Sequence, residues 1–365
     1  MMELTTERIL DIASVFRTEG EPVSAVPFGG GHINGTYLIT TETGKKYTFQ
    51  SINANVFKRP HEVMSNIAHV LAHIKKKVKA NGGDTERECL SPIKTSNGEL
   101  LYTTDDGGYF RMYGFVEGNV YDSVEKPEHF YCAAKAFGTF QNYLSDFPAE
   151  ELCETIHNFH NTVWRYENLE KAVAEDKCGR LAEVRDYVDF AMARKKDAGI
   201  VLDAIAKGSV PLRVTHNDTK FNNVLLDDNG NAICVLDLDT VMPGSMLYDF
   251  GDSIRFGATH AAEDEPDLTK VDVDLELFEA YVKGYLEALG DRITDGEVEL
   301  LAFSAKLMTL ECGIRFLTDY LEGDTYFKTH FPKQNLLRTA TQFKLVWDME
   351  RKMDKMEEIV KSYRK

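Results

Sequence analysis

The sequence predicts an α+β fold in two lobes, a small β-rich one over residues 1–115 and a larger, mainly helical one over 116–365. Three observations carry that prediction. β-prone runs broken by glycine, Asn-Gly and Asp-Gly turns crowd the first third of the chain. Apolar residues at helical spacing dominate everything beyond Tyr121. The one later exception is an apolar hairpin at 224–238.

The elements follow in order. Residues 4–19 place Ile9, Leu10, Ile12, Ala13 and Phe16 on one face of a helix. The period then changes at 23–26, which runs into Phe28-Gly29-Gly30-Gly31-His32-Ile33-Asn34-Gly35. β-rich runs at 36–40 and 47–52 flank the turn Glu42-Thr43-Gly44, and Val63, Ile67, Val70, Leu71 and Ile74 mark the next helix. Asn97-Gly98 and Asp105-Asp106-Gly107-Gly108 divide 91–115 into three short strands of an antiparallel meander. The join between lobes falls at Phe115-Val116-Glu117-Gly118. The last predicted helix, 338–365, carries Phe343, Val346, Trp347, Met353, Met356 and Val360, a stripe suited to core packing.

Bulk properties narrow the function. The chain has 365 residues, enough for about two domains on the usual length prior. Its net charge of −17 repels nucleic-acid backbones and anionic membranes, so neither is an expected partner. No run reaches the roughly 18 apolar residues of a membrane span. The start Met1-Met2-Glu3-Leu4-Thr5-Thr6-Glu7 lacks the features of a secretory signal, so the expected compartment is the cytoplasm. The chain is monomer-sized. The six cysteines form no C-x-x-C pair, which argues against a zinc ribbon or a dithiol redox site.

The strongest chemical signal is Val214-Thr215-His216-Asn217-Asp218-Thr219-Lys220-Phe221-Asn222-Asn223, followed by the hairpin that ends at Asp237. An Asp, an Asn five positions on and a second Asp after a hairpin match the kinase pattern H-R-D-x-x-x-x-N plus a metal-binding Asp. With the turn centred near Asn229, strand pairing sets Asn223 opposite Leu236 and Asp237. An amide oxygen and a carboxylate are then placed together, the hard donors Mg²⁺ prefers. Asp218 is the expected proton acceptor, and Lys220 a neutralising cation for the transferred phosphoryl group. An ordinary loop also uses Asn and Asp, but not in this order around an apolar hairpin.

Asp249-Phe250-Gly251 spells D-F-G, yet it lies outside the hairpin. Asp249 and Asp252 are therefore expected to hold a loop or cap a helix rather than bind metal. Gly29, Gly30 and Gly31 suit a nucleotide-covering loop, although glycines in a tight turn also have a purely conformational explanation. With Gln50, Phe115 and Val116 they form the expected nucleotide site. His32 and Asn34 project from that loop as candidate substrate contacts, although a lone loop histidine is as readily structural. No G-x-x-x-x-G-K-[ST] is present, which excludes a P-loop NTPase. Where a protein kinase has its phosphate-pairing strand Lys, this chain has Gln50. Either Lys58 or Arg59 substitutes, or the metal does more. The pairs His69/His73 and His157/His160 lack a third zinc ligand.

A small β-lobe before a helical one carrying these motifs is the plan of protein-kinase-like folds. The H-x-D-x-x-x-x-N loop and Leu236-Asp237-Leu238-Asp239 resemble the aminoglycoside phosphotransferase and choline kinase superfamily, whose metal Asp lies in I-D-x-[DE]. Longer strings are similar to the N-acetylhexosamine 1-kinases within it: Gly31-His32-Ile33-Asn34, Phe140-Gln141-Asn142, Met242-Pro243-Gly244-Ser245-Met246, Glu311-Cys312-Gly313 and Asp319-Tyr320-Leu321-Glu322-Gly323-Asp324. The resemblance implies ATP as co-substrate, Mg²⁺ held by Asn223 and Asp237, and Asp218 as base. The implied acceptor is the anomeric hydroxyl of an amino sugar, N-acetylglucosamine or N-acetylgalactosamine. His32, Arg315 and Tyr326 are implied to face the sugar, and His216 is placed with them. Arg315, in a predicted helix over 307–321, would serve equally as a structural ion-pair partner. The rival readings are a kinase of another alcohol (homoserine, choline or an aminoglycoside) and a catalytically silent nucleotide-binding protein.

Overall fold

The computed structural model describes residues 4–29, 33–124 and 126–364. Helix α1 (Thr6–Ala13) starts at Thr5, whose hydroxyl accepts from the Arg8 amide at 3.2 Å, and buries Ile9, Ile12 and Ala13. It is shorter than the sequence suggests. Phe16 leaves the helix to bridge Thr95 and to meet the Phe49 ring edge-on at 6.1 Å.

Strands β1 (Pro22–Pro27), β2 (Gly35–Thr41) and β3 (Lys46–Ile52) come next, then helix α2 (Pro60–Ala80), β4 (Tyr102–Thr103) and β5 (Tyr109–Gly114). The five strands form one antiparallel sheet in the order β1-β2-β3-β5-β4. The third predicted strand of the 91–115 meander is reduced to an isolated bridge from Pro92 to Tyr113. Pro92 has no N–H to extend a ladder. One face of the sheet packs Ile39, Phe49, Phe110 and Met112 against α1. The buried face of α2, with Ile67 and Val70, shares a core with Phe140, Val214 and Leu238. Asn66 of α2, 2% exposed, donates to the carbonyls of Cys153 and Val241 at 2.8 and 2.9 Å. The sheet and the helical region are thus joined by both apolar packing and hydrogen bonds.

The remainder is helical around two short ribbons. Helices α3 (Pro127–Tyr143), α4 (Thr162–Glu175), α5 (Leu181–Met192) and α6 (Ile200–Ala206) precede β6 (Arg213–Thr215), β7 (Val224–Leu226), β8 (Ala232–Val235) and β9 (Met242–Gly244). Helices α7 (Met246–Gly257), α8 (Leu275–Leu289), α9 (Asp295–Glu322) and α10 (Gln334–Tyr363) complete the chain. β7 pairs with β8 as expected from the turn at 227–230, and β6 pairs with β9, a ribbon too short to show a period in the sequence. β6 is anchored at its start. Arg213 donates from Nε and Nη2 to both oxygens of Glu297, at 2.5 and 2.8 Å, and Glu297 also closes the capping box of α9 with Thr294.

Helix α7 lies close against α9, and a glycine permits it. A Cβ on Gly251 would stand 2.4 Å from the carbonyl oxygen of Ser304. Gly251→Ala is expected to destabilise the protein by about 1–3 kcal/mol, the usual range for overpacking. Urea denaturation compared with the wild type measures this, and an unchanged midpoint would refute the close-approach account.

Candidate active site

The site is built where β6 runs out of its ribbon. Asn217 takes a left-handed backbone, φ 64°, so the amides of His216 and Asn217 both turn inward. They donate to the two oxygens of Asp249 at 2.9 and 2.7 Å. Gln141 of α3 donates to the same carboxylate at 2.8 Å. Thr219 donates its hydroxyl to the Asp249 carbonyl at 2.6 Å and its amide to Asp252 at 3.2 Å. Asp249 is therefore the tether of the loop. It is 1% exposed, inside α7, with its oxygens occupied by the loop amides.

His216 is fully buried, which corrects its placement among substrate contacts. Its Nε2–H donates to the Leu236 carbonyl at 2.8 Å, and its Nδ1 accepts the Asp218 amide at 3.3 Å. The ring is a strut between the loop and the end of the β7–β8 hairpin. Leu236 also donates its amide to the Asn223 carbonyl at 2.8 Å, so the hairpin's open end closes beside Asn223.

These ties leave Asp218 with a side chain 27% exposed, 3.3 Å from the Lys220 ammonium. Asn223 donates its amide to the Asp218 carbonyl at 2.7 Å and to its carboxylate at 3.2 Å. Asp237 follows the hairpin in a left-handed conformation, φ 53°, that turns it out of the strand direction. The residue is exposed to solvent, yet protein groups crowd around its carboxylate. This enclosure, with the charges of Asp239 and Asp218, pushes its pKa up to about 6. Among the described residues neither the Asp237 carboxylate nor the Asn223 amide oxygen accepts a side-chain hydrogen bond. Two hard oxygen donors without partners, in a place where negative charge is in excess, suit a divalent cation. No group of three or more His, Cys, Asp or Glu side chains among the described residues converges as a metal site.

The first lobe supplies the opposite wall. Asn34 donates to Asp239 at 2.6 Å and accepts the Asn53 amide at 2.9 Å, tying the end of the glycine loop to the segment after Asp237. Gly29 is left-handed and exposed, while Gly30, Gly31 and His32 lie outside the described residues. Gln50 does not reach freely into the cleft. It donates to Thr36 at 3.2 Å and accepts from Arg111 Nε at 2.9 Å. Phe115 meets Phe28 edge-on with ring centres 5.6 Å apart, and Val116 is half-buried beside it.

Of Lys58 and Arg59, the expected substitutes for the missing strand lysine, Arg59 is engaged by other partners. Arg59 pairs with Glu62 at 2.7 Å and donates to the Glu154 carbonyl. The basic residue facing the Asp237–Asp239 segment is Arg111 on β5, paired in register with Gln50. It is 2% exposed and forms an ion pair with Asp239. A lone arginine in a strand gives no sequence signal of this role; the second acid of the Leu236–Asp239 string is the hint that such a partner exists.

On the other side of the loop, His160 lies 3.5 Å from the Asn217 carbonyl and donates to Glu311 at 2.9 Å. Glu311 also accepts from Thr162 at 2.6 Å, and although burial opposes it, His160, Arg165 and Arg315 hold its pKa below the ordinary range. Arg315 sits between the rings of Phe159 and Phe327, at 5.4 and 5.5 Å. Asp319 accepts the amides of Thr325, Tyr326 and Phe327 and so sets the turn that brings Tyr326, 64% exposed, to Arg315. Arg165 joins this group unannounced by any motif. Burial and the charge of Arg315 push its pKa down to about 10. The Nε of each arginine is buried without a hydrogen-bond partner.

The phosphotransferase enzyme family profile matches residues 24–289, which span the sheet, the loop and the hairpin. The chain belongs to that family. Among solved structures this phosphotransferase is similar to an aminoglycoside phosphotransferase from Alicyclobacillus acidocaldarius, with 13% identity over 99% of this chain and 98% of that one, at a TM-score of 0.66. It is also similar to an amicoumacin kinase in complex with AMP-PNP and Ca²⁺ (12% identity, 95% and 93% coverage, TM-score 0.60). A microcompartment-associated aminopropanol kinase follows (14% identity, 95% and 97% coverage, TM-score 0.59). These likenesses establish a two-lobed kinase-like fold for the phosphotransferase. Among its described residues no helix is long and apolar enough to cross a membrane.

The Arg111–Asp239 pair gives a direct test of the wall. Arg111→Ala leaves a buried carboxylate without its counter-charge next to Asp237, a loss of about 3–5 kcal/mol. Adding Asp239→Asn to that variant is expected to recover part of the loss in urea denaturation. Additive effects of the two substitutions would refute the pairing.

Proposed function

We propose that this phosphotransferase moves the γ-phosphoryl group of ATP to the anomeric hydroxyl of an N-acetylhexosamine. The observation that carries transfer is the convergence of Asp218, Lys220 and Asn223 beside the unpartnered carboxylate of Asp237. In this reading Asp218 accepts the proton of the acceptor hydroxyl as its oxygen bonds to the γ-phosphorus and the bond to the β-phosphate oxygen breaks, releasing ADP. Lys220, 3.3 Å away, pairs with Asp218 and lies where it offsets charge on the transferred group. Asn223 and Asp237 would hold Mg²⁺, which when bound would neutralise charge on the phosphate oxygens. The edge-on rings of Phe28 and Phe115 offer an apolar surface suited to the nucleobase.

The choice of acceptor rests on Arg165 and Arg315. Two half-buried guanidinium groups with a free Nε each make a wall that repels ammonium-bearing acceptors and attracts oxygen acceptors. The name of one structural neighbour indicates an amino alcohol, aminopropanol. Acetylation removes the charge of an amino sugar and adds a carbonyl oxygen in its place. An N-acetylated hexosamine satisfies both arginines' demands, and Tyr326 beside them offers a ring for its apolar face.

Three outcomes are expected. Asp218→Asn folds with the wild-type melting temperature and loses about 10²–10⁴ in turnover; wild-type turnover would reject Asp218 as the base. In an acceptor panel scored by ADP release, N-acetylglucosamine or N-acetylgalactosamine is phosphorylated at the anomeric position by phosphorus NMR, and turnover of choline or ethanolamine instead rejects the acceptor. Arg165→Met raises KM for the sugar roughly ten- to a hundredfold with little change in kcat, because it removes a charged hydrogen bond made in both ground and transition states.

A further inference from the structure

His160 and Glu311 are buried ionisable groups beside the loop with no part in the proposed transfer; their side chains are 6% and 1% exposed. The imidazole is held in place. Its Nδ1 donates to Glu311 at 2.9 Å, and Glu311 also accepts the Thr162 hydroxyl at 2.6 Å. The rings of Phe159 and Tyr248 pack on it with centres 4.5 and 5.4 Å away. So fixed, its Nε2 faces the Asn217 carbonyl oxygen at 3.5 Å.

That carbonyl belongs to the peptide leading into Asp218. The tether at Asp249 does not reach it, because Asp249 takes the amides of His216 and Asn217, which lie in the two preceding peptides. Asn217 is left-handed, a conformation that non-glycine residues occupy sparsely. Rotation of the next peptide about ψ of Asn217 would swing Asp218 while leaving both tether bonds intact. Two histidines oppose it: His160 at the carbonyl, and His216, whose Nδ1 accepts the Asp218 amide at 3.3 Å. Two carboxylates face the His160 ring from different helices, Glu311 from α9 and Asp252 from α7, with Arg165 and Arg315 near Glu311. Although burial opposes it, Arg255 and His160 hold the Asp252 carboxyl below its ordinary range, and Asp252 accepts the Thr219 amide at 3.2 Å. His160 therefore acts on the loop on both sides of Asp218.

We propose that His160 is a positioning residue for Asp218, orienting the peptide between Asn217 and Asp218 from Nε2 while Glu311 anchors its Nδ1; this rests on the reading of Asp218 as the base. Both partners are acceptors, so the two bonds coexist in a ring that carries a proton on each nitrogen. Loss of the Nε2 contact lowers kcat rather than raising KM, because sugar and nucleotide still bind while the base is misaimed.

Two substitutions separate the contacts. His160→Asn places an amide N–H where Nδ1 stood and keeps the bond to Glu311. His160→Gln places one where Nε2 stood and keeps the bond to the loop. With N-acetylglucosamine and ATP, the Asn variant is expected to lose about ten- to a hundredfold in kcat with KM for both substrates unchanged. The Gln variant is expected to recover most of that kcat while melting at a lower temperature. Wild-type kcat in the Asn variant, or an equal loss of kcat in both, overturns the proposal. A second measurement needs no variant to fold: histidine-selective ¹⁵N NMR of the wild-type chain is expected to show both ring nitrogens of His160 protonated, and a bare Nε2 overturns the proposal. Absence of phosphorylated product from N-acetylhexosamines sinks the proposed acceptor instead, and wild-type turnover of Asp218→Asn sinks the proposed base; neither alters the ring-nitrogen signals.

Discussion

The organisation of the centre depends on one buried carboxylate. Asp249 receives the amides of two successive residues because Asn217 adopts φ 64°, which turns both N–H groups to the same side. Without that acceptor, two buried amides would each lack a partner, at about 1–3 kcal/mol apiece. The consequences spread outward from this contact. To present Asp249, α7 must lie deep in the helical core, which requires Gly251 against Ser304. To hold the loop at its far end, Thr219 engages Asp252 and Ser253 of the next turn of α7, and Ser253 in turn accepts from Tyr281 at 2.6 Å. The loop is thus laid along one helix turn by turn, and the direction of Asp218 follows from that backbone together with the contacts of its carboxylate to Lys220 and Asn223.

Charge explains the arrangement around Asp237. Asp218, Asp237 and Asp239 crowd three carboxylates into one region against two cations, Lys220 and Arg111. Arg111 is committed to Asp239 at 2% exposure, and Lys220 to Asp218, so Asp237 is left without a counter-ion. A carboxylate raised to about 6 by enclosure and like charge is poised to gain from a bound cation. Asn34 and Arg111, both from the sheet, grip Asp239 two residues later, so the same segment joins the lobes and presents the prospective ligand. The absence of a strand lysine at Gln50 becomes intelligible here, because Gln50 accepts from Arg111 and helps orient it.

Much of this was legible in the sequence, and the exceptions have physical causes. The two-lobed α+β plan, the β7–β8 hairpin and the register that sets Asn223 beside Leu236 follow from turn residues and periodicity, which act locally. The tether role of Asp249 was accessible because a D-F-G outside the hairpin cannot share its open end. Residues that act through tertiary contact were less visible. His216 was grouped with substrate contacts because it stands beside the expected catalytic residues, whereas its ring is buried against Leu236. Arg111 and Arg165 stand in an ordinary strand and helix, and only the folded chain brings one to Asp239 and the other to Arg315. The strand predicted near residue 92 failed because one proline removes a donor that composition does not weigh.

The two sides of the loop differ in a way that bears on specificity. Toward the hairpin the surroundings are acidic and suit a cation; toward α9 they are basic and aromatic, with Glu311 already engaged by His160 and Thr162. On the proposed reading, a free ammonium acceptor on the α9 side would meet the guanidinium groups of Arg165 and Arg315. Repulsion of that kind excludes a ligand more sharply than an added apolar contact selects one, because leaving a buried polar group unpaired is costlier than losing a methylene. On the proposed reading, the acetyl group serves as the mark by which a neutral sugar is told from a cationic alcohol.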